Sequence, residues 1–259
     1  MATQIINTQK KWYEMKKKRN LLLFFVFVPV IILVLSFLLM SYVFNWELDL
    51  IVTILLPLVL ADLIFTLIMK NKITFYHMNV QYLAMLLEEV GPIKLRGRIF
   101  TASWINGLKD EGFQLANDEP DHMLYYQFSK KLQGIPNSGD VLLALVIAKE
   151  SDFQFYQDAI DLEIKRVYEH EPKHFKTKKQ IVFQFKRYDQ LNSDSKEEIS
   201  HIINFKSNQQ YLIHITVGYF FDENMIYFVC PKHRFPNKYY YFACRYIKQL
   251  CGLKIEETL

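Results

Sequence analysis

Two long apolar runs, residues 21–44 and 48–69, stand near the N-terminus with only Asn45, Trp46 and Glu47 between them. Each is longer than the roughly 20 residues that carry a helix across a bilayer core. So short a connection permits only a tight helical hairpin. The expected architecture is an integral membrane protein: a two-helix transmembrane hairpin followed by a cytosolic α+β domain. In outline the chain divides into a basic segment 1–20, the hairpin 21–69, a juxtamembrane helix 70–92 and the domain 93–259.

Charge sets the expected orientation. Lys10, Lys11, Lys16, Lys17, Lys18 and Arg19 precede the first run, Lys70 and Lys72 follow the second, and the turn carries only Glu47 and Asp49. Lysine and arginine close to span ends mark the cytosolic side, so both termini are expected there and the turn outside. Lys16, Lys17, Lys18, Arg19, Lys70 and Lys72 are then the candidates for contact with anionic headgroups. Trp12 and Tyr13 fall at the inner interface, Tyr42 and Trp46 at the outer one, as aromatic belts prefer. A cleaved signal peptide is not expected, because the first run is long, no small-residue cleavage site follows it and a second span comes at once.

Asp62 is the ionisable residue deep in a span. A lone carboxylate at such depth costs on the order of 3 kcal/mol, and it ordinarily has a partner or a wet neighbourhood. Three explanations stay open: a protonated acid, Lys18 or Arg19 reaching inward, or a partner on another chain. Pro29 and Pro57 are expected to kink their helices, as membrane spans tolerate.

Beyond the spans, residues 73–89 show helical spacing at Phe75, Met78, Tyr82, Met85 and Leu86, with Gly91-Pro92 as the stop. Lys94, Arg96 and Arg98 then read either as a lipid-facing run or as ordinary solvated charge. Within the domain, 103–112 reads as a helix closed by glycine, and 113–116 and 123–129 as a strand pair. The wholly apolar 141–148 reads as a buried strand. An amphipathic helix over 153–170 should bury Tyr156, Ile160, Ile164 and Val167, with a strand following at 180–185. Ser195 with Glu198 reads as a capping box opening a helix to about Phe205. Strands at 211–217 and 225–229 flank the turn Asp222-Glu223-Asn224, and a helix over 239–251 closes at Gly252.

Composition narrows the partners. The formal charge of +4 sits beside the spans, which suits a lipid bilayer and not a nucleic-acid groove. Cys230, Cys244 and Cys251 form an odd set in an expected reducing compartment, so they read as buried free thiols. A protein partner or a second copy of the chain is the remaining expectation.

Three motifs match letters without matching their mechanics. His170-Glu171-Pro172-Lys173-His174 has the order of a zinc peptidase helix, but both histidines must reach one metal from an unbroken turn. Pro172 breaks that turn, so no metal site is expected at His170, Glu171 and His174. Thr216-Val217-Gly218-Tyr219 resembles a potassium filter, which would have to lie between the spans. Glu163-Ile164-Lys165, near Asp158 and Asp161, resembles a nuclease strand, yet it lies in a stretch of helical period and reads as a solvated helix face. No glycine-rich phosphate loop or nucleophile elbow is present, and no cofactor or catalytic residue is indicated.

The leading expectation is therefore a hairpin that anchors a cytosolic interaction or assembly domain. A membrane-bound hydrolase assembled from dispersed residues such as His122, His201, His214 and His233 stands second. An oligomeric channel or transporter subunit using Asp62 stands third.

Overall fold

The computed structural model describes residues 2–136, 138–155, 158–174, 177, 179–206 and 210–253. The chain forms two compact units, Met1–Leu87 and Glu88–Leu259.

The first unit is an antiparallel pair of long helices. Helix α1 (Ala2–Leu38) runs into a short π-helical turn (Leu39–Val43), and α2 (Leu48–Leu87) returns alongside it. Asn45 takes a positive φ of 47° in the reversal, a conformation that asparagine tolerates better than most residues. Along α2 the side chains turned towards α1 recur at helical spacing: Ile51 and Leu55 are buried, and Asp62, Thr66 and Met69 are half-buried. Both helices are long and apolar enough to cross a membrane. The expected separate juxtamembrane helix is absent as a distinct element, since α2 continues unbroken to Leu87. The physical reason is simple: Lys70, Asn71 and Lys72 change polarity but do not break a helix, and the first breaker is Gly91-Pro92.

The second unit is an α/β domain around a mixed eight-stranded sheet. Its strands are β1 (Ile93–Lys94), β2 (Gln114–Asp118), β3 (His122–Ser129), β4 (Val141–Ala148), β5 (Lys179–Tyr188), β6 (Ile203–Lys206), β7 (Tyr211–Phe220) and β8 (Met225–Tyr227). The order across the sheet is β1-β8-β7-β5-β4-β3-β2, with β6 paired beside β7. Four helices pack on it: α3 (Ala102–Asp110), α4 (Asp158–His170), α5 (Ser193–Ser200) and α6 (Lys238–Leu250).

The centre of the sheet differs from an α+β reading. Strand β4 pairs parallel to β5, and β5 parallel to β7, with α4 and α5 in the crossovers. Parallel neighbours need such a crossover, and the sheet they form is covered on both faces. Accordingly all eight residues of β4 are buried. One face carries Ala144, Val146 and Val182 against Ile160, Ile164 and Val167 of α4. The other carries Phe183, whose ring lies 5.7 Å from Tyr246 of α6, and Phe185, 5.4 Å from Trp104 of α3.

Local signals explain the helix ends. Gly112, at φ +94°, reverses the chain after α3, and Gly252, at φ +68°, does so after α6. Helix α4 starts at Asp158, later than its apolar period suggests; Phe153 and Phe155 are buried from the preceding loop, and Tyr156 lies outside the described residues. Helix α5 is capped by Asn192, with Ser195 as the third residue of the capping box and not its first. It ends at Ser200, and residues 203–206 pair with β7 as a strand where a helix to Phe205 was expected. The β-branched Ile203 and aromatic Phe205 suit a strand better than a helix terminus.

Candidate functional site

In open α/β sheets the carboxyl ends of parallel strands are where ligands and chemistry gather. Here that edge holds the densest set of buried ionisable groups. His122 opens β3 directly opposite Ala148, at the end of β4. Glu163 comes down onto the same face from the apolar stripe of α4, between Ile160 and Val167. Only 4% of His122 and 8% of Glu163 is exposed.

The two residues form an ion triad with Asp121. His122 Nδ1 lies 2.8 Å from Asp121 Oδ1 and Nε2 lies 2.9 Å from Glu163 Oε2. The second Glu163 oxygen accepts from Asn117 Nδ2 at 2.8 Å, just past the irregularity that re-aims β2. With a carboxylate at each nitrogen, both ring N–H groups donate and the imidazole is a cation. Burial opposes that charge, but the hydrogen bonds to Glu163 and Asp121 outweigh it, and the pKa of His122 is raised. The hydrogen bond from His122 holds the Asp121 carboxyl below its ordinary value, against the effect of desolvation.

Phe153 connects this triad to a second charge pair. Its ring lies 5.1 Å from the imidazole, and its carbonyl accepts from Lys186 Nζ at 2.9 Å. Lys186, on β5, is 2% exposed and donates also to Glu198 Oε1 of α5 at 2.6 Å. Deeper on the same face the Thr216 hydroxyl donates to Gln184 Oε1 at 3.0 Å. His214 lies beside them, and among the described residues neither of its ring nitrogens has a partner. Burial pushes its pKa down to about 4, so it is neutral at pH 7.

These groups satisfy one another instead of pointing at a substrate. A histidine that donates from both nitrogens has no lone pair to take a proton, and the Lys186 ammonium is already held by a carboxylate and a carbonyl. Chemically the arrangement pins α4 and α5 to the sheet. The sequence reading of Glu163 as part of a solvated face is corrected: it is buried and ion-paired. Its position in the 160, 163/164, 167 stripe is the signal that could have revealed this.

The other singled-out residues fall in separate places. His170 Nδ1 lies 2.8 Å from the Arg166 carbonyl, whereas His174 Nδ1 lies 3.2 Å from Asp140 Oδ2 and its ring stacks on Phe128 at 4.2 Å. The two histidines of that motif thus engage different neighbours, His170 as the last residue of α4 and His174 beyond its end. Among the described residues no three His, Cys, Asp or Glu side chains gather into a metal-holding group. His201 and His233 are exposed, and Thr216-Val217-Gly218-Tyr219 is buried within β7. Cys230, Cys244 and Cys251 are all buried and free.

In the helical pair, Asp62 faces α1 half-buried and has no ion pair among the described residues. Arg19 is engaged by Asn20 Oδ1 at 2.9 Å, and the Lys16 ammonium lies 4.5 Å from the centre of the Trp12 ring. Lys17, Lys18, Lys70 and Lys72 are exposed.

A groove of about 530 Å³ opens between α3 and the end of α6, lined by Arg98, Trp104, Leu108, Glu111, Gln249 and Leu250 among others. Trp104 Nε1 donates to the Leu250 carbonyl at 2.7 Å and fixes the groove floor. No protein-family model matches this chain, and neither a curated protein nor a solved structure is significantly similar to it.

Proposed function

We propose that this chain is a membrane-anchored interaction or assembly module, in which the α1–α2 hairpin inserts into the bilayer and holds the α/β domain in the cytosol. One observation carries the reading. Phe24, Phe25, Phe27, Ile31 and Ile32 of α1 and Leu63, Ile64, Leu67 and Ile68 of α2 are each more than half exposed. So continuous an apolar surface on a paired helix is costly in water and favourable in hydrocarbon. The basic residues that flank the two apolar runs on the side away from the turn, against Glu47 and Asp49 at the turn, support cytosolic termini. Lys16, Lys17, Lys18, Arg19, Lys70 and Lys72 then meet anionic headgroups. In the domain, the mutual saturation of His122, Glu163, Lys186 and Glu198 favours a rigid binding scaffold over a hydrolase.

The test is labelling with a membrane-impermeant maleimide in intact cells. Glu47→Cys is expected to react from outside, and Lys10→Cys only after permeabilisation. Extraction of the chain by alkaline carbonate, or reaction of Lys10→Cys in intact cells, would overturn the reading. Affinity capture of the detergent-solubilised chain then reads the second half of the proposal, the protein partner or second copy.

A further inference from the structure

The segment between β1 and α3 is anchored by Leu95 and Ile99, both buried, and this leaves Arg96 and Arg98 in solvent. Arg98 does not extend freely. Its guanidinium carbon lies 4.8 Å from the centre of the Phe221 ring, and that of Arg187, near the end of β5, lies 4.7 Å from the same ring. Tyr219 meets Phe221 edge-on at 6.2 Å and donates its hydroxyl to Asn224 Oδ1 at 3.0 Å. Asn224 donates in turn to the Leu95 carbonyl at 3.2 Å, so the ring platform and the arginine-bearing segment are fastened together.

Two guanidiniums within 5 Å of one ring centre repel each other. Asp222 and Glu223 follow in the next turn, yet among the described residues no ion pair joins either arginine to a carboxylate. Contact with the aromatic ring restrains both side chains. Paired, restrained and uncompensated arginines are complementary to a dianion with several acceptor oxygens. Arg98 also lines the 530 Å³ groove, together with Trp104, Leu108, Leu250, Glu111 and Gln249. The groove offers an apolar wall next to the cationic pair.

We infer that Arg98 and Arg187 form a binding site for a small phosphate monoester, whose phosphate sits between the two guanidiniums and whose organic part lies in the groove on Trp104 and Leu250. The inference does not depend on membrane insertion.

The experiment is a calorimetric titration of the full chain in neutral detergent with phenyl phosphate, inorganic phosphate and phenol. Saturable binding is expected, with phenyl phosphate tighter than inorganic phosphate and phenol undetected. Arg98→Gln and Arg187→Gln should each weaken it about tenfold, the size of one charge-assisted contact. Arg98→Lys should fall between, and Arg96→Gln should leave binding unchanged. Thermal melts of the variants, which alter exposed side chains only, check that they remain folded. The site is overturned if phenyl phosphate fails to bind at about 10 mM, or if the Arg98/Arg187 double variant binds as the parent does. It is equally overturned if phosphate is recognised only as phosphatidic acid in nanodiscs and never as the soluble ester.

Discussion

Replacing Glu163 by glutamine removes one of the two carboxylates that clamp the His122 imidazolium, with almost no change of volume. Hydrogen bonds to charged groups contribute about 1.5–3 kcal/mol each, and stripping a buried ion of its partner costs up to about 3–5 kcal/mol. Two features of the site place the expected loss at the low end. Asp121 remains, although its side chain is 43% exposed and its attraction is screened. His122 can also shed its proton, donate through Nδ1 to Asp121 and accept at Nε2 from the new amide. Glu163→Gln should therefore cost about 1.5–2 kcal/mol at pH 7, and Glu163→Ala, which also removes one of the two acceptors of Asn117 Nδ2, about 3 kcal/mol.

The sharper signature is the pH dependence. The pKa of folded His122 is raised above the ordinary 6.5, so the native state holds its proton where the unfolded chain has released it. The stabilisation is complete below the unfolded value and is lost as pH rises through the folded one, with a limiting slope of about 1.4 kcal/mol per pH unit. Glu163→Gln should remove most of that slope on the alkaline side of 6.5. Urea unfolding of the full chain in detergent, followed by Trp104 fluorescence in a Trp12→Phe, Trp46→Phe background, measures both quantities. A parent and a Glu163→Gln variant with equal midpoints and parallel pH profiles would refute the idea that this triad fastens α4 to the sheet.

His214 should respond to pH with the opposite sign. Its folded pKa of about 4 lies below the unfolded 6.5, so stability should fall by about 3 kcal/mol as pH drops through that window, and His214→Leu should abolish the fall in the same urea assay. The Lys186–Glu198 pair should be asymmetric. Glu198→Gln strands an ammonium that is 2% exposed and should cost about 3 kcal/mol, whereas Lys186→Met leaves a carboxylate that reaches solvent and should cost less than half of that in thermal melts. Gly218→Ala drives a methyl into Ile199 Cδ1 and should cost about 1–3 kcal/mol; Ile199→Val, which deletes that carbon, should recover much of the loss in a double-mutant cycle.

What the sequence conveyed and what it hid follow from the range of each interaction. The hairpin was legible because an apolar run of span length is a local property, and so were Gly112, Gly252 and the fully buried 141–148. The end of the second helix was misplaced because polarity changes at Lys70 while backbone geometry does not. The parallel centre was hidden because β4–α4–β5 and β5–α5–β7 look locally like strands and helices in any order; only the register Leu142↔Gln180 and Lys179↔Tyr211 makes them crossovers. The triad joins residues 41 apart, and the second charge pair depends on a backbone carbonyl, which no side-chain pattern announces. Arg98 and Arg187 come to one ring because Phe221 follows directly on β7, the strand paired with β5.

The two faces of the sheet are held by different physics. Towards α4 and α5 lie His122, Glu163, Gln184, Lys186, Glu198, His214 and Thr216, ionic or polar groups embedded among Ala144, Val146 and Val182. Towards α3 and α6 the sheet presents Phe183, Phe185 and Tyr219, which contact Tyr246, Trp104 and Phe100 at ring separations of 5.4–5.7 Å. Aromatic packing is nearly indifferent to pH, whereas buried ion pairs and a neutral buried histidine are not. Acid or alkali should therefore loosen the α4–α5 layer before the α3–α6 layer. The proposed phosphate site, built from Arg98, Arg187 and aromatic rings on the second face, should keep its shape across a pH range in which the first face yields. A binding site on the pH-insensitive layer and charge locks on the other is a division of labour that hydrogen exchange, resolved by peptide and corrected for intrinsic rate, can read directly.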